Sequence, residues 1–159
     1  MVGILGVFLF IMGFQSVSAG DDMVSAGGSH TCVIVIAYNK LQCWGDNEAG
    51  QTNTPSLKNP KMVSAGGDHT CAIDDNGVKC WGNNEFGQTN IPSLKNPKMV
   101  SAGNRHTCAI DDNGVKCWGY NQYGQTNTPS LKNPKMVSAG NGHTCAIDDN
   151  GVQCWGYNQ

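Results

Sequence analysis

One histidine, two cysteines and, in three of four cases, a pair of aspartates recur along this chain at near-constant spacing. The sets are His30, Cys32 and Cys43; His69, Cys71, Asp74, Asp75 and Cys80; His106, Cys108, Asp111, Asp112 and Cys117; and His143, Cys145, Asp148, Asp149 and Cys154. Such residues serve metal binding, acid–base catalysis or disulfide cross-linking. A closed zinc site takes four ligands, and each set offers one histidine and two cysteines on a shared face, one ligand short. A calcium loop needs alternating oxygen ligands and a closing glutamate, which Asp-Asp-Asn-Gly lacks. A catalytic group is rarely needed four times, and no nucleophile, base and orienting acid stand apart from the recurring framework. We therefore expect no metal, no cofactor and no catalytic residue, and read each histidine as locking a turn. Eight cysteines read as four disulfides if the chain is secreted. In a reducing compartment the same residues would be small, unbridged core side chains.

The spacing belongs to a repeat. Cys32, Cys71, Cys108 and Cys145 follow one another at intervals of 39, 37 and 37, and segments 62–98 and 99–135 differ at six positions. We divide the chain into 1–19, a short lead 20–22, repeats 23–61, 62–98 and 99–135, and an incomplete fourth repeat 136–159. Repeats of this size are supersecondary units that bury their apolar faces against their neighbours. Segment 1–19 is uncharged, with an apolar run at 2–14 and small residues at Val17-Ser18-Ala19. It reads as a secretory signal peptide, or, left uncleaved, as an anchor. The expected location is extracellular, with no membrane contact once the signal is removed. A formal net charge of −2 argues against nucleic acid as a partner.

Within 62–98 three short strands are expected, at Met62-Val63-Ser64-Ala65-Gly66, His69-Thr70-Cys71-Ala72-Ile73 and Val78-Lys79-Cys80-Trp81-Gly82. A four-residue loop at 74–77 sets Ile73 opposite Val78 and Cys71 opposite Cys80, so all four share one face. Gly77 would close the loop with a positive φ. In the first repeat the cysteines stand eleven apart instead of nine. Two extra residues add one cross-strand pair without flipping faces; 36–39 becomes the loop and Asn39 takes the left-handed position. Facing cysteines lie near disulfide distance, so the expected bridges join Cys32 to Cys43, Cys71 to Cys80, Cys108 to Cys117 and Cys145 to Cys154. Segment 87–93 reads as loop with a short edge strand. The tryptophans at 44, 81, 118 and 155 point away from the cysteine face and should pack between neighbouring repeats.

The string Val-Ser-Ala-Gly-x-x-His-Thr-Cys-Ala-Ile, then Gly-Val-Lys-Cys-Trp-Gly-x-Asn-x-x-Gly-Gln, resembles the repeats of the regulator of chromosome condensation family, above all its secreted, cysteine-paired branch in crinkly-type receptor ectodomains. The resemblance covers 23–159 and implies an all-β fold: a β-propeller, or part of one, with one short antiparallel blade per repeat of about 37 residues. The family usually closes a ring of about seven blades. An open array would leave blade edges prone to self-association. Exchange activity on a nuclear GTPase does not carry over to a secreted chain, because fold alone confers no chemistry.

Comparison of the copies shows where the chain tolerates change. The pair before each histidine varies, as does the loop after each Trp-Gly, and strand direction brings both to one end of the sheets. There we place a candidate binding surface of Phe86, Arg105, Tyr120, Tyr123 and Tyr157 for an extracellular protein or glycan. The alternative is a secreted inhibitor that occludes an enzyme with the same face; a carbohydrate-active enzyme has least support. At the opposite end the Asp-Asp turns and Lys58, Lys61, Lys95, Lys98, Lys132 and Lys135 read as a solvated, self-compensating surface.

Overall fold

The computed structural model describes residues 22–157; the expected signal at 1–19 lies outside them. Four three-stranded antiparallel sheets follow in chain order, one per repeat. The first contains β1 (Met23–Ala26), β2 (His30–Val35) and β3 (Lys40–Gly45), and the second β4 (Met62–Ala65), β5 (His69–Asp74) and β6 (Gly77–Gly82). The third contains β7 (Met99–Ala102), β8 (His106–Asp111) and β9 (Gly114–Gly119), and the fourth β10 (Met136–Ala139), β11 (His143–Asp148) and β12 (Gly151–Gly156). These are the blades of a partial β-propeller, stacked side by side without closing a ring. No helix among the described residues is long and apolar enough to cross a membrane.

The register sets Ile73 opposite Val78 and Cys71 opposite Cys80, as the alternation requires. All eight cysteines are bridged, each within its own repeat, with Cα atoms 4.0–4.1 Å apart. That removes the zinc and free-thiol alternatives. The hairpin is tighter than expected: Asp74 pairs with Gly77, so only Asp75 and Asn76 form the turn. Gly77, at φ 111°, meets nothing within 4 Å of where a Cβ would sit, so its dihedral alone calls for glycine. In the first repeat β2 is as long as β5, and the two extra residues lengthen the loop, not the ladder. That loop is a 3₁₀ turn at Ile36–Tyr38 closed by Asn39 at φ 50°. Segment 87–93 contains turns and no strand.

Period-two alternation gives each blade two unlike faces. The trailing face of blade 1 presents Cys32, Ile34 and Leu41, and Val63, Ala72 and Trp81 from the leading face of blade 2 pack against it. Cys71 and Ile73 meet Val100 and Ala102 in the same way, and Cys108 and Ile110 meet Val137, Ala146 and Trp155. The core is thus a series of three seams between blades, each walled on one side by the disulfide of the first, second or third blade. Tryptophan lies in the seam as expected: Trp118 is buried, whereas Trp44, on the bare leading face of blade 1, is 54% exposed.

One expectation fails here and a second is extended, both for reasons of side-chain direction. The Asp-Asp turns are not uniformly solvated. Asp74, Asp111 and Asp148 are buried, each accepting the N–H of the connector that precedes its blade, from Lys58, Lys95 and Lys132 at 2.8–2.9 Å. Only the second aspartate of each pair fits the solvated reading, as in the exposed pairing of Lys61 with Asp75 at 2.9 Å. The histidines do more than lock turns. His30, His69 and His106 are buried, and each reaches across a seam to a threonine of the next blade.

Candidate functional site

The scaffold beneath the variable loops recurs at each of the three seams. Thr70 donates to the backbone oxygen of Gln51 at 2.9 Å, and the Trp81 indole donates to that same oxygen at 2.9 Å. Because the Thr70 hydroxyl is spent as a donor there, it accepts from His30 Nε2–H at 2.7 Å, which fixes the ring tautomer. Gln51, Gln88 and Gln125 are fully buried and hold the loop after each Trp-Gly. Their side-chain oxygens accept the N–H of Ala49, Phe86 and Tyr123 at 2.9–3.0 Å. The copies never vary at this glutamine, a signal available in the sequence that loop variability masks.

On this frame the two variable loops of each blade are tied together, Tyr120 N–H to the Arg105 oxygen and Tyr157 N–H to the Gly142 oxygen. Four of the five candidate residues form a continuous ladder. Phe86 of blade 2 meets Tyr120 of blade 3 edge-on with ring centroids 4.9 Å apart. Tyr120 lies 6.0 Å from Tyr123, and Tyr123 lies 4.7 Å from Tyr157 of blade 4. The fifth, Arg105, places its guanidinium carbon 5.1 Å from the Phe86 ring centre. Tyr123 and Tyr157 are 48% and 46% exposed. Beside them runs an open groove of about 370 Å³, flanked by Asn104 and Asn141, whose amides are hydrogen-bonded to each other. Toward blades 1 and 2 the same loops carry Glu48, Asp68 and Glu85, all exposed.

One position departs from the scaffold's own logic. Gln51 Nε2 donates to Asp46, and Gln88 Nε2 donates to Asn83, at 2.8–2.9 Å. In blade 3 the corresponding residue is Tyr120, whose hydroxyl turns outward to Gln122. Gln125 Nε2 is left buried without a partner among the described atoms. A buried unpaired donor costs about 1–3 kcal/mol. Tyrosine at this place is therefore not what the loop's hydrogen bonding selects.

A larger cleft, of about 560 Å³, opens at the opposite end between the Asp74–Val78 turn and the connector around Pro92. Its carboxylates are engaged in holding the blade: Asp74 takes Lys58 N–H, Asn76 N–H and Lys79, and Asp75 takes Asn59 and Lys61. Burial alone would raise the Asp74 pKa, but those hydrogen bonds, that from the Lys58 N–H foremost, hold it below the usual carboxylate value. Among the described residues no cluster of histidine, cysteine or acid is arranged to hold a metal.

The sequence matches the regulator of chromosome condensation (RCC1) repeat at 24–51, 62–88, 99–125 and 136–159. The chain belongs to the RCC1-repeat family. Among solved structures, this RCC1-repeat chain is similar to the ectodomain of the Physcomitrella patens receptor kinase CR4, with 27% identity, TM-score 0.72, and coverage of 85% of this chain and 38% of that one. It is similar also to the CRINKLY ectodomain of the Arabidopsis thaliana receptor kinase ACR4, with 29% identity, TM-score 0.67, and coverage of 84% and 48%. Prp20p from Saccharomyces cerevisiae shares the fold at 22% identity and TM-score 0.69, with coverage of 86% and 44%. The chain thus spans less than half the length of each. A comparison with curated proteins finds no match. Four disulfides and likeness to receptor ectodomains agree with an extracellular setting.

Proposed function

We propose that this chain is a secreted, non-enzymatic RCC1-repeat module that takes a protein partner on the loop face carrying Phe86, Arg105, Tyr120, Tyr123 and Tyr157. The observation that carries the reading is the aromatic ladder, continuous across three blades, in which Tyr120 stands where Asp46 and Asn83 supply an acceptor to Gln51 and Gln88. Tyrosine, phenylalanine and arginine supply contact area at low entropic cost. The exposed Glu48, Asp68 and Glu85 beside them favour a partner with basic residues next to an apolar patch. Protein binding accords with the fold: Prp20p is described with its binding to Gsp1p and histones.

Site-specific photo-crosslinking tests this reading. Benzoylphenylalanine in place of Tyr123 should give a discrete adduct in extracellular fluid of the source organism, and the same probe in place of Asn76, at the far end, should not. Adducts of equal yield from both positions, or a Tyr123 adduct removed by glycosidase but not by protease, would refute a protein-binding face.

A further inference from the structure

The two ends of the sheets carry opposite charge. Every lysine of the chain stands at the connector end, on a connector or beside a hairpin turn, whereas the loop face carries Asp46, Glu48, Asp68 and Glu85 against Arg105 alone. A formal net charge of −2 hides this separation.

The fold withdraws half of the acid from the connector end. Asp74, Asp111 and Asp148 are buried, and Lys79, Lys116 and Gln153 answer them at 3.0–3.1 Å. The exposed second aspartates each take one lysine, Lys61, Lys98 and Lys135, at 2.9–3.0 Å. One lysine per connector is left over. Lys58, Lys95 and Lys132 are exposed and enter no ion pair among the described residues. Their backbones are pinned alike: each N–H donates to the buried aspartate at 2.8–2.9 Å, and each oxygen accepts the N–H of the second aspartate at 2.9 Å. The asparagine that follows each lysine, at φ 50–51°, donates its amide to the second aspartate. The result is a row of unpaired cations on a rigid backbone, one per connector.

The cleft of about 560 Å³ lies along this row. Lys61 lines it from one connector, and Asn96 and Pro97, which stand between Lys95 and Lys98 in sequence, line it from the next. Its apolar lining is Val78, Ile91, Pro92 and Leu94. Ile91 is 37% exposed and stands where the other connectors have Thr54 and Thr128.

We propose that the connector end binds an anionic polysaccharide, whose repeating carboxylates or sulfates meet Lys58, Lys95 and Lys132 and one of whose rings lies on Ile91 and Pro92. Regular charges on a polymer match a regular row of cations, and the acidic loop face turns such a chain away. A sugar ring has apolar C–H faces as well as hydroxyls, which suits a cleft lined by aliphatic side chains and the exposed Asn76. The row is lysine throughout, a point charge without the planar fork that arginine brings to phosphates and nucleic acids. This surface is separate from the aromatic loop face, so either can bind without the other. A polydisperse polysaccharide leaves no discrete adduct on a probe at Asn76.

The test uses the full chain from a secreting host on immobilised polygalacturonate, heparin and neutral dextran, across a salt series. Wild type should bind one or both acidic chains and not dextran, with affinity falling as salt rises; the tighter of the two names the anionic group. Lys58→Gln, Lys95→Gln and Lys132→Gln together should weaken binding at least tenfold and flatten the salt dependence. These side chains enter no ion pair, so the melting temperature should hold. Ile91→Thr, a residue the other connectors already carry, should weaken binding severalfold with the salt dependence unchanged. No binding to either acidic chain, equal binding to dextran, a triple variant within twofold of wild type, or tighter binding to duplex DNA or to phosphatidylserine vesicles would each overturn the proposal.

Discussion

His69 Nε2 lies 2.9 Å from Thr107 Oγ1 of the following blade, and that hydroxyl lies 2.8 Å from the backbone oxygen of Gln88, which also accepts the Trp118 indole. A single buried threonine thus joins one blade's turn to the next blade's third strand and to the connector between them. Removing its hydroxyl leaves the His69 donor without a partner. Thr107→Val should destabilise the chain by about 2–3 kcal/mol in chemical denaturation, from one buried donor left unpaired and one bond to Gln88 lost. Thr107→Ser, which keeps the hydroxyl, should recover most of the loss. Equal losses for both variants would show that the methyl group, not the bond, does the holding.

The same ties make stability depend on pH. Burial, with smaller contributions from neighbouring histidines, pushes His69 and His106 down from 6.5 to about 4. Their Nδ1 atoms lack partners among the described atoms, so a second ring proton would be buried unpaired. Between those values the unfolded chain holds a proton on each ring that the folded chain does not, so stability falls as pH drops through the window. The expected slope is roughly 1.4 kcal/mol per pH unit for each ring, read as the shift of denaturation midpoints from pH 7 to pH 4.5. A flat profile above pH 4.5 would contradict the buried neutral rings.

Tyr120 separates folding from function. Tyr120→Ala and Tyr120→Asn both remove the ring from between Phe86 and Tyr123, but only asparagine returns the acceptor that Gln88 finds in Asn83. The asparagine variant should exceed the alanine variant by about 1–2 kcal/mol in unfolding free energy. Identical stabilities would mean that Gln125 Nε2 is satisfied by other means.

Each bridge closes a short loop. Replacing Cys71 and Cys80 together by alanine should cost about 2–3 kcal/mol on the chain-entropy account. Peptide mapping should recover Cys71 joined to Cys80 and no bridge between repeats.

The blades were legible in the sequence because alternation and paired cysteines constrain each other: with Cys71 opposite Cys80, Ile73 must face Val78 and Trp81 must point to the other side. What crosses a seam was not legible. His69 and Thr107 stand on blades whose relative position no local pattern states. The split between Asp74 and Asp75 follows from where the strand ends: Asp74 pairs with Gly77 as the last residue of β5, which is buried on both faces, and Asp75 begins the turn. Treating the turn as four residues took Asp74 off the strand and hid that split. Variation among the copies did point to Phe86, Arg105, Tyr120, Tyr123 and Tyr157, and the fold brings them into one patch. The missing acceptor at Gln125 needed the loop's hydrogen bonds to be seen.

That the variable face, and not the repeated frame, does the binding is tested most directly by giving blade 3 the loop residues of blade 1. The substitutions Arg105→Ser, Tyr120→Asp and Tyr123→Ala place there the residues found at Ser29, Asp46 and Ala49, which the scaffold already accommodates. The measurement is the affinity of this variant for the partner captured at Tyr123, beside its melting curve. We expect cooperative unfolding to persist and affinity to fall by a hundredfold or more, about 2.7 kcal/mol. A variant that folds and binds within twofold of wild type would contradict the account.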